Sequence, residues 1–329
     1  MSRYAQAHAN RNGPGDGRPT ALQIIKDEGR EGILRDKVFL VTGASSGIGI
    51  ETGRALAATG AKVFLAVRDL KKGEAACKSF LEPGRVELIE LDVSSLKSVR
   101  ACAAAFLQKS PQLNLLVCNA GVMTIPTREE TEDGFEMQLA VNYLGHFLLF
   151  WLLRDTLIKS STPEFQSRLV NVSSSGHQAS EIIWGDFNMK DYNPLKAYGQ
   201  SKLAQIYMAN YVDRHFGSQG IHALSVMPGG IIETGLAKYT PKEVMDGFKT
   251  HPVVSKWVKD PEQGAATTVL AAVGKDWEGK GGEYLEDCAV ATSDPSTFMP
   301  NLAGVVDLTH DEAKETRLWE LTLKTLGLS

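Results

Sequence analysis

The chain has 329 residues, of which 43% are hydrophobic and 22% are charged, and its formal net charge at pH 7 is −4. This composition is typical of a globular protein with a sizeable core, and the charge gives no electrostatic reason to expect a nucleic acid partner. The longest apolar run, 147–153, is far too short to span a bilayer, so we expect no membrane anchor. The polar N-terminus has no apolar signal segment, and the four cysteines lack zinc-ligand spacing. We therefore predict a cytoplasmic protein without a bound metal.

Residues 1–35 are predicted to be an extension in front of one domain at 36–329. Glycine and proline recur between residues 13 and 19, so residues 1–20 are expected to be disordered or loosely packed. A short helix within 20–35 then leads to the first strand. No repeat and no linker divides the rest of the chain.

Apolar strands and helices alternate from residue 38 onward. Strands are predicted at 38–42, 62–67, 86–91, 114–118, 168–172, 221–226 and near 282–285. The first predicted helix of this alternation begins at residue 48 and is ended by Gly60. Further helices are predicted at 70–81, 95–109, 135–158, 197–216, 261–274 and 311–326. This order predicts a Rossmann-type α/β fold, in which a doubly wound parallel sheet of about seven strands has helices on both faces. Residues 231–260 would form a small lid over the substrate.

The first strand runs directly into a glycine-rich loop and then into a helix. Gly43 can make the tight turn, while Gly47 and Gly49 let the backbone approach a phosphate and let the helix begin close to the sheet. A glycine turn between a strand and a helix is often only a turn. The loop alone is therefore weak evidence for a dinucleotide site.

Unusual polar or turn residues follow six of the predicted strands, where ligands bind in open parallel sheets. They are Gly43, Arg68, Asp92, Asn119, Ser174 and Pro228. Any one of them could simply be a loop residue, but six at the same sheet edge favour a binding site.

Tyr198 and Lys202 have i, i+4 spacing and therefore share one face of a helix. They could be an ordinary solvent-facing pair. Alternatively, the ammonium group could lower the phenol pKa, so that Tyr198 exchanges a proton with an alcohol or carbonyl oxygen.

These motifs together resemble the short-chain dehydrogenase/reductases over about residues 36–326. The similarity rests on Thr42–Gly49, Asp92-Val, Asn119-Ala-Gly, Asn142, the serines after the strand at 168–172, Tyr198-x-x-x-Lys202 and Pro228-Gly. Ala-Val-Arg-Asp at 66–69 and Asn-Tyr-Leu-Gly-His146-Phe are similar to the branch that contains retinol dehydrogenases, WW-domain oxidoreductases and protochlorophyllide reductases.

The resemblance implies a catalytic tetrad of Asn142, Ser174, Tyr198 and Lys202. Tyr198 would be the acid/base, and Ser174, rather than Ser173 or Ser175, would hold the substrate oxygen. Lys202 would lower the tyrosine pKa and bind the nicotinamide ribose, while Asn142 would hold a water in a proton relay. The implied cofactor-binding residues are Gly43, Ser45, Ser46, Gly47, Ile48, Gly49, Arg68, Asp92, Val93, Asn119, Ala120, Gly121, Tyr198, Lys202, Pro228, Gly229, Ile231 and Thr234.

Arg68, at the end of the second predicted strand, favours NADP(H), because a guanidinium can pair with a 2′-phosphate. Asp69 directly after it keeps NAD(H) open as the less favoured alternative.

The segments expected to flank the nicotinamide are rich in aromatic and aliphatic residues. They contain Ile182, Ile183, Trp184 and Phe187 in one loop, and Leu236, Tyr239, Met245, Phe248 and Trp257 in the lid. We therefore expect a small-molecule substrate, namely a bulky and lipophilic carbonyl compound or alcohol. Examples are a polyketide, terpenoid or aromatic ketone of secondary metabolism. The alternatives are a C=C reductase on the same fold and a non-catalytic NADP-binding regulatory protein. Phe147, Phe150 and Trp151 could meet a second copy in a homodimer, or could be buried within the chain.

Overall fold

The computed structural model describes residues 2–232, 234–292, 304–305 and 309–328. Residue 233 of the predicted lid, and residues 293–303, 306–308 and 329 of the predicted domain, lie outside the described residues. In the described ranges, no helix is long and apolar enough to cross a membrane.

The fold is α/β with one large central sheet, as predicted. The strands are β1 (Val38–Thr42), β2 (Lys62–Val67), β3 (Val86–Glu90), β4 (Leu115–Cys118), β5 (Ser167–Val172), β6 (Ile221–Met227), β7 (Gly230–Ile231), β8 (Val258–Lys259), β9 (Tyr284–Glu286) and β10 (Ala289–Val290). Eight of them form the sheet in the order β10-β9-β6-β5-β4-β1-β2-β3. The seven predicted strands pair in parallel, and β10 adds an antiparallel edge.

Helices cover both faces of this sheet. In the described ranges the α-helices are α1 (Ala5–Ala9), α2 (Ala21–Asp27), α3 (Ile48–Ala58), α4 (Leu70–Cys77), α5 (Leu96–Lys109), α6 (Met137–Leu139), α7 (Gly145–Ser160), α8 (Pro194–Phe216), α9 (Lys242–Thr250), α10 (Val254–Trp257), α11 (Pro261–Gly264), α12 (Ala266–Val273) and α13 (Glu312–Leu326), of which α9 and α10 lie in the lid. Because side chains alternate along a strand, Leu40 packs with α5, α7 and α8, whereas Phe39 and Val41 pack with α2, α3 and α12.

The predicted helix at 135–158 is interrupted. A π-helical turn, Ala140–Leu144, separates α6 from α7, and such turns are frequent at functional sites. The predicted helix at 197–216 begins earlier, at Pro194, because the side chain of Asn193 accepts hydrogen bonds from Leu195 N and Lys196 N. The predicted helix at 261–274 is divided into α11 and α12.

The expectation of a loosely packed N-terminus is wrong for the described residues. Tyr4, His8 and Arg18 are buried, and Arg18 is 3% exposed. Its guanidinium donates hydrogen bonds to backbone carbonyls of residues about 240 positions away. The glycine- and proline-rich composition gives no sign of such distant partners.

The C-terminal helix α13 covers the apolar side of α7. Trp319 stacks on Tyr211 with ring centroids 4.2 Å apart and contacts Phe147 edge-on at 4.7 Å. Phe147 and Phe150 are fully buried within the chain, and Trp151 is half-buried. The alternative that these residues are buried within the chain therefore holds for Phe147 and Phe150, and the homodimer itself stays a prediction.

Candidate active site

A cavity of about 720 Å³ opens at the carboxyl ends of the parallel strands. Residues that follow β1 to β6 contribute to its wall, as the sequence predicts for a ligand site. The predicted residues on this wall are Gly43, Ser45, Ser46, Gly47, Ile48, Arg68, Asp92, Val93, Asn119, Ala120, Gly121, Ser174, Tyr198, Lys202, Pro228, Gly229, Ile231 and Thr234. Gly49 and Asn142 lie behind the wall.

The glycine loop is shaped by close backbone approaches. A Cβ on Gly43 would lie 2.7 Å from Ala120 Cα, and a Cβ on Gly47 would lie 3.0 Å from the Thr234 side chain. Gly49 has a packing role, because a Cβ there would lie 2.3 Å from the Gly43 carbonyl oxygen. Gly47 is the N-cap of α3, so the first-turn N–H groups of α3 lie at the cavity, where they favour an anion.

A buried histidine links the π-helical turn to the segment after β4. His146 Nε2 lies 2.8 Å from Thr42 Oγ1, and His146 Nδ1 lies 3.1 Å from the Asn142 carbonyl oxygen. Burial lowers the pKa of His146 to about 4. The neutral ring therefore donates from Nδ1 to the carbonyl and accepts the Thr42 hydroxyl proton at Nε2. Thr42 Oγ1 in turn accepts from the backbone N–H groups of Asn119 and Ala120.

Sequence reasoning assigned no role to His146 or to the Thr42 hydroxyl. A histidine within an otherwise apolar helix is the signal that could have identified this network, because a buried imidazole requires hydrogen-bond partners.

Asn142 holds the turn after β4 rather than facing the cavity. Its amide nitrogen donates to the Val122 carbonyl at 3.0 Å and to Ser201 Oγ at 2.8 Å, while its oxygen accepts from Val122 N–H at 2.9 Å. A Cβ on Gly121 would lie 3.3 Å from Asn142 Oδ1 and 3.5 Å from Lys202 Nζ. The amide oxygen and the ammonium group therefore converge beside Gly121.

Lys202 is held by two acceptors on the inner side of α8. Its Nζ donates to the Val172 carbonyl at 2.9 Å and to Gln205 Oε1 at 3.0 Å. Burial lowers the pKa of Lys202 to about 7. The ammonium nitrogen lies 5.7 Å from the centre of the Tyr198 ring, so the i, i+4 pair is buried together rather than exposed to solvent.

The pKa of Tyr198 is shifted in the direction opposite to the predicted one. Burial raises it to about 12, and a hydrogen bond with the Ser174 side chain opposes this rise only in part. The phenol is therefore protonated near neutral pH.

Among the three consecutive serines, the hydroxyl of Ser174 is the one that interacts with Tyr198. Ser173 Oγ is instead directed to the Lys202 carbonyl at 2.8 Å. These contacts favour Ser174 over Ser173, and which serine is catalytic stays a prediction.

The cationic and the anionic side chains that follow β2 have different surroundings. Arg68 is exposed on the cavity wall, and so is Lys72. Asp69 Oδ1 accepts from Lys72 N–H at 3.0 Å and caps α4. Its carboxylate is thus engaged in starting a helix.

Lys259, which sequence reasoning missed, supports the Pro-Gly turn after β6. Its Nζ donates to the Pro228 carbonyl at 3.1 Å and to Asp287 Oδ1 at 2.7 Å. A Cβ on Gly229, where φ is +108°, would lie 2.8 Å from the lysine side chain. No local pattern signals this contact, because its partners are about 30 residues away along the chain.

One part of the cavity is apolar. All five lid residues expected to flank the substrate lie on its wall. Four further apolar residues that were not predicted also line it, namely Met123, Ile125, Met137 and Val141. None of the four apolar residues predicted from the other loop, Ile182, Ile183, Trp184 and Phe187, is on the wall. Ile182, Trp184 and Phe187 pack against the core instead. The predicted substrate contact from that loop is therefore wrong for these three residues.

The family model described as short chain dehydrogenase matches residues 37–244. The chain belongs to this family. It is 55% identical over 328 residues to the short-chain dehydrogenase/reductase prx1 of Penicillium roqueforti, covering 99% of this chain and 96% of the relative. It is also 38% identical to human retinol dehydrogenase 11, covering 90% of this chain and 87% of the relative.

Two solved structures extend the comparison of this short-chain dehydrogenase. An uncharacterized protein from Mycobacterium paratuberculosis matches with a TM-score of 0.68 and 29% identity, covering 91% of this chain and 96% of the other. The NADP complex of RhlG from Pseudomonas aeruginosa matches with a TM-score of 0.61 and 23% identity, covering 76% and 94%. At 23% identity the second likeness concerns the fold alone.

Proposed function

We propose that the chain is an NADP(H)-dependent reductase of bulky lipophilic ketones or aldehydes. The observation that carries this proposal is the convergence of Ser174, Tyr198 and Lys202 on a cavity that also has an apolar wall. Family membership supports oxidoreductase chemistry, and the relative named retinol dehydrogenase supports a lipophilic substrate class.

The residues present fit a nicotinamide dinucleotide. Side chains are excluded at Gly43 and Gly47, and the N-terminus of α3 lies beside them. Asn119 Oδ1 is buried and has no hydrogen-bond partner among the described residues, so it can accept from a ligand. When bound, the nicotinamide would exchange hydride with the substrate carbon.

The protein would supply the proton. Tyr198, protonated near neutral pH, donates to the carbonyl oxygen as charge develops on it, and Ser174 donates a second hydrogen bond to the same oxygen. Lys202, with its Nζ 5.7 Å from the centre of the Tyr198 ring, would stabilise the phenolate that results. Asn142 would hold a water beside Lys202 for reprotonation.

Preference for NADP(H) is proposed from the residues after β2. Arg68 and Lys72 provide two cations at the cavity wall, where they can pair with a 2′-phosphate. Asp69, the residue that could instead accept hydrogen bonds from the ribose hydroxyls of NAD(H), already accepts from the backbone of α4.

The test is consumption of NADPH and NADH by the purified chain with bulky ketones, aldehydes and enones, alongside Tyr198→Phe. We expect Tyr198→Phe to lower turnover by about 10²–10⁴-fold while NADPH binding survives, because the phenyl ring cannot donate a proton. Tyr239→Phe, at another tyrosine on the cavity wall, is the matched control and should keep its activity.

The products distinguish the alternative functions. An alcohol from an enone supports carbonyl reduction, whereas a saturated ketone identifies a C=C reductase. Tight NADPH binding without turnover of any compound would favour the non-catalytic regulatory protein. Unchanged turnover in Tyr198→Phe would show that another group is the acid.

A further inference from the structure

The N-terminal segment lies against the base of the lid. We define the N-terminal clamp as residues 11–18 and the lid base as residues 256–259, which include the end of α10 and all of β8. Arg11, Arg18 and lid-base residues Trp257, Val258 and Lys259 share the wall of the cavity that contains Tyr198. The clamp is therefore part of the active-site wall and not a distant extension.

Arg18 joins the clamp to the lid base through backbone carbonyls. Its guanidinium donates to Trp257 O at 3.0 Å and to Val258 O at 2.6 Å. The same group donates to Gly13 O at 2.9 Å and forms an ion pair with Asp16 at 2.8 Å, with both charged side chains almost fully buried. A planar group with five donors in fixed directions can hold these carbonyls together, which a flexible ammonium cannot do.

A backbone N–H of the clamp adds a third hydrogen bond in the same direction. Gly13 N–H donates to the Lys256 carbonyl at 3.2 Å. Carbonyls of three consecutive lid-base residues, 256–258, are thus bound by the clamp.

Arg11 connects the clamp to the turn after β6. Its guanidinium carbon lies 3.5 Å from the centre of a Trp257 ring, and its NH2 nitrogen binds Asp287 Oδ2 at 2.8 Å. Asp287 also binds the Lys259 ammonium, which holds the Pro228 carbonyl. A continuous set of polar contacts therefore leads from Arg11 to the Pro-Gly turn on the cavity wall.

The rest of the lid has less internal support. Beyond the lid base, α9 contains no buried residue, and its Val244 and Phe248 side chains are 43% and 38% exposed. Met245 and Phe248 nevertheless line the cavity. The two ends of the lid pair with each other through β7 and β8, and the clamp binds the second of these ends. The position of the apolar wall therefore depends on this pairing and on the clamp.

We infer that Arg18 and Arg11 are positioning residues for the substrate, because the clamp fixes the lid base and with it the apolar wall of the cavity. The consequence for substrate binding rests on the proposed reductase function, whereas the fixing of the lid does not.

The experiment compares the full chain with Arg18→Gln and Arg11→Gln. Arg30→Gln is the matched control, because Arg30 also donates from the N-terminal region to a carbonyl, that of Val273, away from the cavity. Chymotrypsin is used to cleave the lid, since removing an arginine does not change its cleavage sites. We expect cleavage between residues 236 and 257 to be about tenfold faster in Arg18→Gln, because the carbonyls that lose their donor favour an open lid base.

With a carbonyl substrate, we expect the KM of Arg18→Gln to rise about tenfold while kcat changes little, since the lost contact places substrate rather than moves a proton. Arg11→Gln should show the same pattern to a smaller extent. Because Arg11 is only partly buried, this variant is expected to fold, so the inference can still be tested if Arg18→Gln misfolds. The control should match the wild type in both measurements.

Wild-type cleavage rates in both clamp variants would overturn the inference, as would faster cleavage with unchanged KM. If the wild type reduces no carbonyl compound, the proposed function fails, while the cleavage rates still decide whether the clamp holds the lid.

Discussion

At the scale of single residues, the neighbouring side chains Arg68 and Asp69 have different tasks. Asp69 caps α4, whereas Arg68 is exposed at the cavity wall, where it can meet a ligand. We expect Arg68→Gln to raise the KM for NADPH by on the order of 10- to 100-fold, because a hydrogen bond to a charged group contributes about 1.5–3 kcal/mol. The KM for NADH should change much less. Steady-state kinetics with both coenzymes measures the two effects.

Lys71→Gln is the control for this prediction. Lys71 is exposed on α4 next to Lys72 but is not on the cavity wall, so its loss removes a nearby charge without removing the proposed contact. An equal rise in KM for NADPH and NADH in Arg68→Gln would contradict a role in recognising the 2′-phosphate.

Much of the candidate site could be predicted from residue types at strand ends, because a parallel sheet brings those ends to one edge. Tyr198 and Lys202 could be paired because a helix fixes their spacing. The direction of the tyrosine pKa shift could not be predicted, since it depends on burial by residues from other elements. Lys259 was missed for the same reason, because β8 and the turn after β9 meet only in the folded chain.

At the scale of elements, α7 can approach the end of β3 because it begins with glycine. A Cβ on Gly145 would lie 2.1 Å from the Val93 carbonyl oxygen. Alanine favours a helix by roughly 0.5–1 kcal/mol over glycine, but this gain cannot offset a clash with backbone. We therefore expect Gly145→Ala to lower the free energy of unfolding by at least about 2 kcal/mol, measured by urea unfolding.

Gly247→Ala is the opposite case on α9. Apart from its chain neighbours and the backbone of α9, no atom of the described residues lies within 4 Å of a Cβ built at Gly247, so this variant should gain stability by up to about 1 kcal/mol. Equal stability changes in the two variants would show that the close approach of Gly145 to Val93 is not the cause.

The elements themselves could largely be predicted, since continuous apolar strands and helical periodicity are local signals. The π-helical turn at 140–144 gives no such signal. Its residues fit a regular helical pattern, and the turn coincides with the point where Asn142 binds the chain after β4. Tertiary hydrogen bonds of this kind are not encoded by periodicity.

At the scale of the whole molecule, the two chain ends complete a core that the central domain leaves open. Helix α13 covers the aromatic side of α7 and α8 through Trp319. The N-terminal helix α2 buries Ile24 and Ile25 against the opposite layer. The face containing Phe147 and Phe150 is therefore occupied by this chain, so a homodimer would have to use another surface or move α13.

Two buried histidines, one in each half of the chain, should make folding sensitive to acid. Burial lowers the pKa of both His146 and His177 to about 4, whereas an imidazole in the unfolded chain titrates near 6.5. Between these values the unfolded chain binds more protons, so the free energy of unfolding falls as the pH decreases from about 6.5 to 4. Glu286 acts oppositely, because burial raises its pKa to about 7 and the folded chain then gains the proton.

Comparing wild type with His146→Gln isolates the contribution of one histidine to the pH dependence of the free energy of unfolding. Between pH 7 and pH 5 we expect the wild type to lose about 2 kcal/mol more than this variant, since that is the linkage contribution of one imidazole with these pKa values. Urea unfolding at the two pH values measures the difference, and His215→Gln, at an exposed histidine, is the control. Removing His146 also disturbs the Thr42 network and so changes the stability at both pH values. The test therefore compares how much stability each protein loses between pH 7 and pH 5, and not its absolute stability. Identical pH slopes in wild type and His146→Gln would mean that His146 takes up its proton over the same pH range in the folded and the unfolded chain, and a pKa lowered by burial would then be wrong.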